Sequence, residues 1–151
     1  MGYEIERKFL IRKMPENLEQ YDFHVIEQAY LTTHPTIRVR REDDHYYMTY
    51  KGNGGLKHEE YNLALTKEAY ETLKSKADGN VITKKRYLIP CDPYTIELDV
   101  FDAPFAPLVL AEVEFPTEEE ACDFNVPSWF EKDVTDDDRY YNSTMSRMQI
   151  K

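Results

Sequence analysis

Charged and polar residues recur at every second position in several short stretches of this 151-residue chain. Glu4, Glu6 and Lys8 form the first set. Arg38 and Arg40, Thr49 and Lys51, His58 with Glu60 and Asn62, Lys84 and Arg86, Glu97 and Asp99, and Glu112 and Glu114 follow. In an extended strand, positions i, i+2 and i+4 share a face. Each set therefore points one way, while Tyr3, Ile5, Arg7 and Phe9, and their equivalents in the later stretches, point the other. An ordinary half-buried sheet would leave such charged faces in water. A solvated face, however, mixes Ser, Thr and Gln with both signs, whereas here acid pairs and base pairs fall on different strands. Like charges two residues apart repel, which is a poor choice for solubility and a sensible one for gripping a ligand.

If these faces line the inside of a barrel, the lumen carries Glu4, Glu6, Glu60, Glu97, Asp99, Glu112 and Glu114 against Lys8, Arg38, Arg40, Lys51, Lys84 and Arg86. Acids then exceed bases by one, and such a lumen does not hold a polyanion by charge alone. Two divalent cations on the carboxylates reverse the sign and suit a triphosphate. Hard oxygen donors select Mg²⁺ or Mn²⁺, which bridge carboxylates and phosphates. The acids would bind metal and the bases phosphate.

The elements needed to position these side chains are legible as short alternations separated by turn residues. Strands are predicted at 3–12, 25–33, 36–43, 46–52, 56–63, 81–90, 94–102 and 108–115. Gly52-Asn53-Gly54-Gly55 reads as a hairpin loop. Although it follows Lys51, its order is wrong for a phosphate-binding P-loop, which places Lys-Ser/Thr after the glycines. A helix is predicted over 66–77, with Thr66 as N-cap and Gly79 as the stop. A short one starts at Thr117, where Thr117 and Glu120 form a capping box. One or two helical turns are expected near Pro15–Tyr21, and another helix from Asp136 onward with Met145 and Met148 on one side. The expected architecture is α+β but mostly β: one domain over 1–151, a closed eight-stranded antiparallel barrel with a charged lumen and a few outer or plugging helices.

Composition narrows the function. A net charge of −10 argues against a nucleic-acid partner. No stretch approaches the roughly 18 apolar residues of a membrane span, and Met1–Leu10 has no apolar signal region. Cys91 and Cys122 are too few and too isolated for a disulfide framework or a zinc site. A cytoplasmic location is expected. His24, His34 and His45 read as loop or surface residues.

The ordered segments EIERKF at 4–9, EQAYL at 27–31, IRVR at 37–40, TYKG at 49–52, KKRY at 84–87, IELDVF at 96–101, LAEVEF at 110–115 and EKDVTDDDRYYN at 131–142 resemble the CYTH superfamily, the triphosphate tunnel metalloenzymes. The resemblance runs nearly end to end. It implies an eight-stranded tunnel whose carboxylates hold metal and whose Lys and Arg residues clasp a triphosphate. Glu4, Glu6 and Glu112 would match the substrate-orienting metal site. Glu60, Glu97, Asp99 and Glu114 would match carboxylates near a second metal or the attacking water. Lys8, Arg38, Arg40, Lys51, Lys84 and Arg86 would match the phosphate-binding set, and Lys132 and Arg139 resemble basic residues that reach the tunnel from the C-terminal segment. Tyr30 matches a tyrosine common on the second strand, with packing as its other reading.

Three departures stand out. Where the fifth strand usually reads Arg-x-Glu-x-Glu, this chain has His58, Glu60 and Asn62, and Ala29 stands where many relatives have Gly. Loss of the second Glu bears on a second metal, and His58 removes a permanent charge. The resemblance, to a single-domain inorganic triphosphatase of bacterial type, implies metal-dependent hydrolysis of tripolyphosphate, with nucleoside triphosphates as weaker substrates. A class IV-type adenylate cyclase, a thiamine triphosphatase (for which Trp129 is the sole tryptophan to inspect) and a non-catalytic polyphosphate or nucleotide sensor remain the alternatives. The expected partner is a triphosphate-containing small molecule, with no nucleic acid and no membrane, and association with a second copy is left open.

Overall fold

The computed structural model describes residues 3–53 and 56–149. Nine strands appear in chain order: β1 (Tyr3–Ile11), β2 (Phe23–Thr33), β3 (Thr36–Glu42), β4 (His45–Lys51), β5 (Lys57–Ala64), β6 (Asp78–Cys91), β7 (Tyr94–Phe101), β8 (Val109–Glu114) and β9 (Phe130–Asp133). The helices are α1 (Lys67–Lys76), α2 (Glu118–Cys122) and α3 (Asn142–Met145), with 3₁₀ turns at Leu18–Gln20 and Asp138–Tyr140. Hydrogen bonding runs β5-β4-β3-β2-β6-β7-β8-β1, and β1 pairs with β5 to close an eight-stranded antiparallel barrel.

The closing strand is shared. On one edge β1 pairs with β8 from Glu6 to Leu10. On the other it pairs with β5 at Tyr3–Ile5 and then with β9 at Phe9 and Ile11. Between the two partnerships, Lys8 N–H is taken by Thr135 Oγ1, and Lys8 O accepts from Val134 N–H. The segment after β9 thus fills the place where β5 leaves β1.

Two of the three apolar clusters lie outside the barrel wall and one inside. Phe9, Leu98, Val113, Phe115 and Phe130 pack with α2 residue Ala121. Ala29 and Val39 pack beneath Tyr70 of α1. The inward cluster joins Tyr30, Ile82, Phe101 and Leu110 of the wall to Val134 and Met145 of the C-terminal segment. The lumen is therefore charged over part of its length and plugged by apolar side chains at one end.

Local signals explain most boundaries. Thr66 Oγ1 accepts from Ala69 N–H and Thr117 Oγ1 from Glu120 N–H, so both predicted caps form. Gly79 does not stop α1, which ends at Lys76; it lies in β6 at φ +81, where a Cβ would sit 2.1 Å from Ser146 O. The helix expected from Asp136 onward breaks into a 3₁₀ turn and the short α3, with Met145 buried and Met148 38% exposed. Gly54 and Gly55 of the predicted hairpin loop lie outside the described residues, but β4 and β5 pair around it, with Lys51 opposite Glu60. Among the described residues no helix is long and apolar enough to cross a membrane.

Candidate active site

The luminal charges are sorted into two walls. Around the barrel, β7, β8, β1 and β5 are consecutive and supply Glu97, Glu112, Glu114, Glu4, Glu6 and Glu60. The other consecutive half, β4, β3, β2 and β6, supplies Lys51, Arg38, Arg40, Lys84 and Arg86. Among the described residues the exceptions are Lys8 and the His58 imidazole on the acid side and Glu42 on the basic side. Between the walls is a cavity of about 450 Å³, within the usual range for a small-molecule site.

The basic wall is tied down from behind. Arg86 Nε and Nη2 donate to the two oxygens of Asp99 at 2.7 and 2.9 Å, and Nη2 also donates to Glu112 Oε2 at 3.1 Å. Lys84 Nζ lies 2.7 Å from Asp99 Oδ2 and donates to Asn142 Oδ1 at 2.9 Å. Burial of Asp99 favours its neutral form, but Arg86 and Lys84 outweigh it and hold the carboxyl below its ordinary value. The bidentate Arg86 takes the larger share of that charge. Burial accordingly pushes Lys84 down to about 7, against the pull of Asp99 and helped by Arg86 and Arg40. Arg40 Nε donates to Gln28 Oε1 at 2.8 Å, and Gln28 Nε2 donates to Tyr30 Oη and Asn142 Oδ1. Arg38 Nη2 donates to Thr49 Oγ1, yet its buried Nε has no partner. A buried unsatisfied donor is costly, and an anion in the cavity would satisfy it.

The acid wall is short of positive charge. Glu4 accepts from His58 Nε2 at 2.7 Å and lies 3.3 Å from Lys51 Nζ. Burial would raise Glu4, but His58 and Lys51 hold it well below the usual carboxylate range. The carboxyl groups of Glu4 and Glu114, and of Glu6 and Glu112, are close enough to share hydrogen bonds. Burial and then Glu112 raise Glu6, while Glu114 is pushed up to about 8 by burial and by Glu4. Glu114 is exposed and lines the cavity. Glu112 is driven well down, with Lys8 and Arg86 overriding its burial. Glu97 is raised, chiefly by burial and despite Arg86. In each close carboxyl pair one member thus favours its charged form and the other is raised by burial and by its neighbour. A divalent cation between the two would relieve that repulsion, so the donor set suits oxygen-ligated metal.

Twelve of the fifteen predicted site residues line the cavity: Glu4, Glu6, Lys8, Arg38, Arg40, Lys51, Glu60, Lys84, Arg86, Glu97, Glu112 and Glu114. Asp99 is absent from the lining; 0% exposed, it lies behind Arg86 and Lys84. Lys132 is exposed on β9, and Arg139, its side chain 67% exposed, pairs with Asp137 at 2.6 Å. The C-terminal segment reaches the cavity through Thr135, Tyr141, Asn142 and Ser143 instead. Glu42 and Tyr47 also line the cavity without having been singled out, as does His34, a turn residue as expected, while buried Gln28 supports the site from behind through Arg40. Glu42 and Gln28 carry the same two-residue spacing as their recognised neighbours Arg40 and Tyr30. Nothing local marks Asn142. Trp129 packs with the outer cluster around Phe9 and not on the cavity.

Comparison with known proteins agrees with this geometry. An inorganic triphosphatase of Nitrosomonas europaea is 39% identical, over 95% of this chain and 96% of its own length. Another from Acetivibrio thermocellus is 32% identical over 100% of this chain and 97% of its own. A crystal structure of an inorganic triphosphatase aligns with a TM-score of 0.73 at 34% identity, covering 100% of this chain and 99% of that one. The CYTH domain matches residues 2–141, and the chain belongs to that family.

Proposed function

We propose that this protein hydrolyses the terminal phosphoanhydride of inorganic triphosphate inside the barrel, in a reaction that depends on a divalent cation. The observation that carries this reading is the division of the lumen into facing acidic and basic halves. Arg38, Arg40, Lys84, Arg86 and Lys8 would neutralise the phosphate oxygens as charge moves toward the leaving group, which is the main demand of phosphoryl transfer. Lys51 would exchange its contacts with Glu4 and Glu60 for phosphate. Glu4, Glu6 and Glu112, with Glu114 beside them, would hold Mg²⁺ or Mn²⁺. Such a cation supplies Lewis-acid charge at a phosphoryl oxygen. Glu60, Glu97 and Glu114 would orient an attacking water, and burial, which raises Glu97, suits it to take up a proton. Asp99 would act indirectly, by fixing Arg86 and Lys84.

Phosphate release from tripolyphosphate, ATP and thiamine triphosphate, each with and without Mg²⁺ or Mn²⁺, tests the reading. Release from tripolyphosphate that requires metal and disappears in a Glu4→Ala/Glu6→Ala variant supports it. Formation of cAMP from ATP would replace it with a cyclase.

One observation favours a second reading, a sensor that binds without turnover. Asn62 brings no charge of its own and is committed to its neighbours, with Oδ1 accepting from Thr49 Oγ1 at 2.5 Å and Nδ2 donating to Glu60 at 3.3 Å. Tight tripolyphosphate binding with no phosphate released would select it.

A further inference from the structure

We propose that His58 is a nitrogen ligand of the cation held by Glu4 and Glu6, giving a mixed imidazole–carboxylate site that takes Co²⁺ and Mn²⁺ in preference to Mg²⁺. The inference rests on the metal-dependent reading above and specifies which metal chemistry that site has.

Among the described residues, Glu4, Glu6 and His58 form a set whose ligand atoms all lie within 4.8 Å of one another. The register brings them together, because Glu4 stands directly opposite His58 across the β1–β5 seam, and Glu6 follows on the same face. A first-row cation bound at about 2.1 Å needs ligand atoms roughly 3–4 Å apart. Small side-chain rotations reach that range, and His58 Nε2 is already 2.7 Å from Glu4 Oε1.

His58 is 5% exposed, lines the cavity, and has no hydrogen-bond partner for Nδ1. Surrounding protein therefore satisfies only half of a deeply buried polar ring, and with Nε2 donating to Glu4 the other nitrogen keeps a lone pair free for a ligand. A purely electrostatic role is redundant here. Lys51 Nζ already lies 3.3 Å from the same Glu4 oxygen and 3.4 Å from Glu60. A neutral imidazole adds no repulsion to an arriving cation and offers a lone pair.

Imidazole binds later first-row metals better than it binds Mg²⁺, which favours oxygen and retains its water. His58 should therefore change selectivity more than overall charge balance. Two carboxylates and one imidazole leave coordination positions open for phosphate oxygens.

The test uses the full chain without substrate. Pulsed EPR of the Mn²⁺-loaded protein should show ¹⁴N modulation that is lost in His58→Ala while Mn²⁺ stays bound. Calorimetric titration should show His58→Ala weakening Co²⁺ by about 10-fold or more, the size of one lost ligand or its support, with Mg²⁺ changed by less than about 3-fold. Mn²⁺ bound without nitrogen modulation, or modulation that survives His58→Ala, overturns the assignment and leaves the triphosphatase reading intact. No binding of any divalent cation, with circular dichroism showing a folded chain, overturns both.

Discussion

Asp99 shows how a residue can serve a site it does not touch. One fully buried carboxylate neutralises parts of two cations, Arg86 and Lys84, and fixes both against the cavity. Removing one member of a buried charged set leaves the others uncompensated and typically costs about 3–5 kcal/mol. Asp99→Asn is therefore expected to lower unfolding free energy by that order, read from urea melts, and to cut tripolyphosphate turnover by about 10-fold or more through misplaced Arg86. Unchanged stability would contradict the ion-pair geometry. Glu97 and Asp99 look alike in the sequence, because both occupy the charged face of β7. Their difference depends on what stands beside each on the neighbouring strand β8: Glu97 pairs with Glu112 at the cavity, whereas Asp99 pairs with Leu110 at the apolar plug. Strand periodicity gives the face of a residue but not its depth along the barrel.

At the scale of elements, the alternation was enough to place eight strands and their inward faces, because a one-residue slip would turn every charge outward. The caps Thr66 and Thr117 were equally readable, since each depends on a local hydrogen bond. Elements defined by tertiary contact were not. Gly79 resembles a helix stop, but its backbone meets Ser146 too closely for any side chain. Gly79→Ala should accordingly lower stability by about 1–3 kcal/mol, measured as a fall in denaturation midpoint with activity per folded molecule retained. The α1–β2 contact makes a separate prediction. Glu27 accepts from Tyr70 Oη at 2.7 Å and Lys74 Nζ at 2.9 Å. Those groups outweigh its partial burial and lower its pKa. The unfolded chain then binds more protons as pH falls, so the contribution is full above about pH 4.5 and disappears below the lowered folded value. Glu27→Gln should cost about 0.5–1 kcal/mol at pH 7 after allowance for solvent screening. The difference from the parent chain should shrink below pH 4.5 in parallel melts.

For the whole molecule, the proposed cation and substrate should act as folding ligands. Their binding relieves close carboxyls on one wall and close bases on the other. At 100 times the dissociation constant, a ligand specific for the folded state adds about 2.7 kcal/mol. Mn²⁺ with tripolyphosphate should therefore raise the melting temperature by several degrees, and a chelator should reverse the metal's share. No shift for the pair would count against the shared site. Deleting everything after Asp133 should be worse than losing a tail, because Val134 and Met145 complete the apolar plug and Asn142 holds Lys84 and Gln28. Such a chain is expected to lose cooperative unfolding by circular dichroism. The plug was not legible in the sequence because its members come from distant stretches, and only the closed barrel brings Tyr30, Ile82, Phe101 and Leu110 against Val134 and Met145.

The position of β1 between β8, β5 and β9 also imposes an order in time. Glu6 stands opposite Glu114 in the finished barrel, yet those residues leave a ribosome 108 positions apart. At about 5–20 residues per second, the first half of this carboxylate pair waits roughly 5–20 s for the second. During that interval β1 has neither its main pairing partner nor the segment that receives the Lys8 backbone. Closure of the barrel is thus a late event, and β1, made before the barrel's other strands, is among the last of them to be locked in.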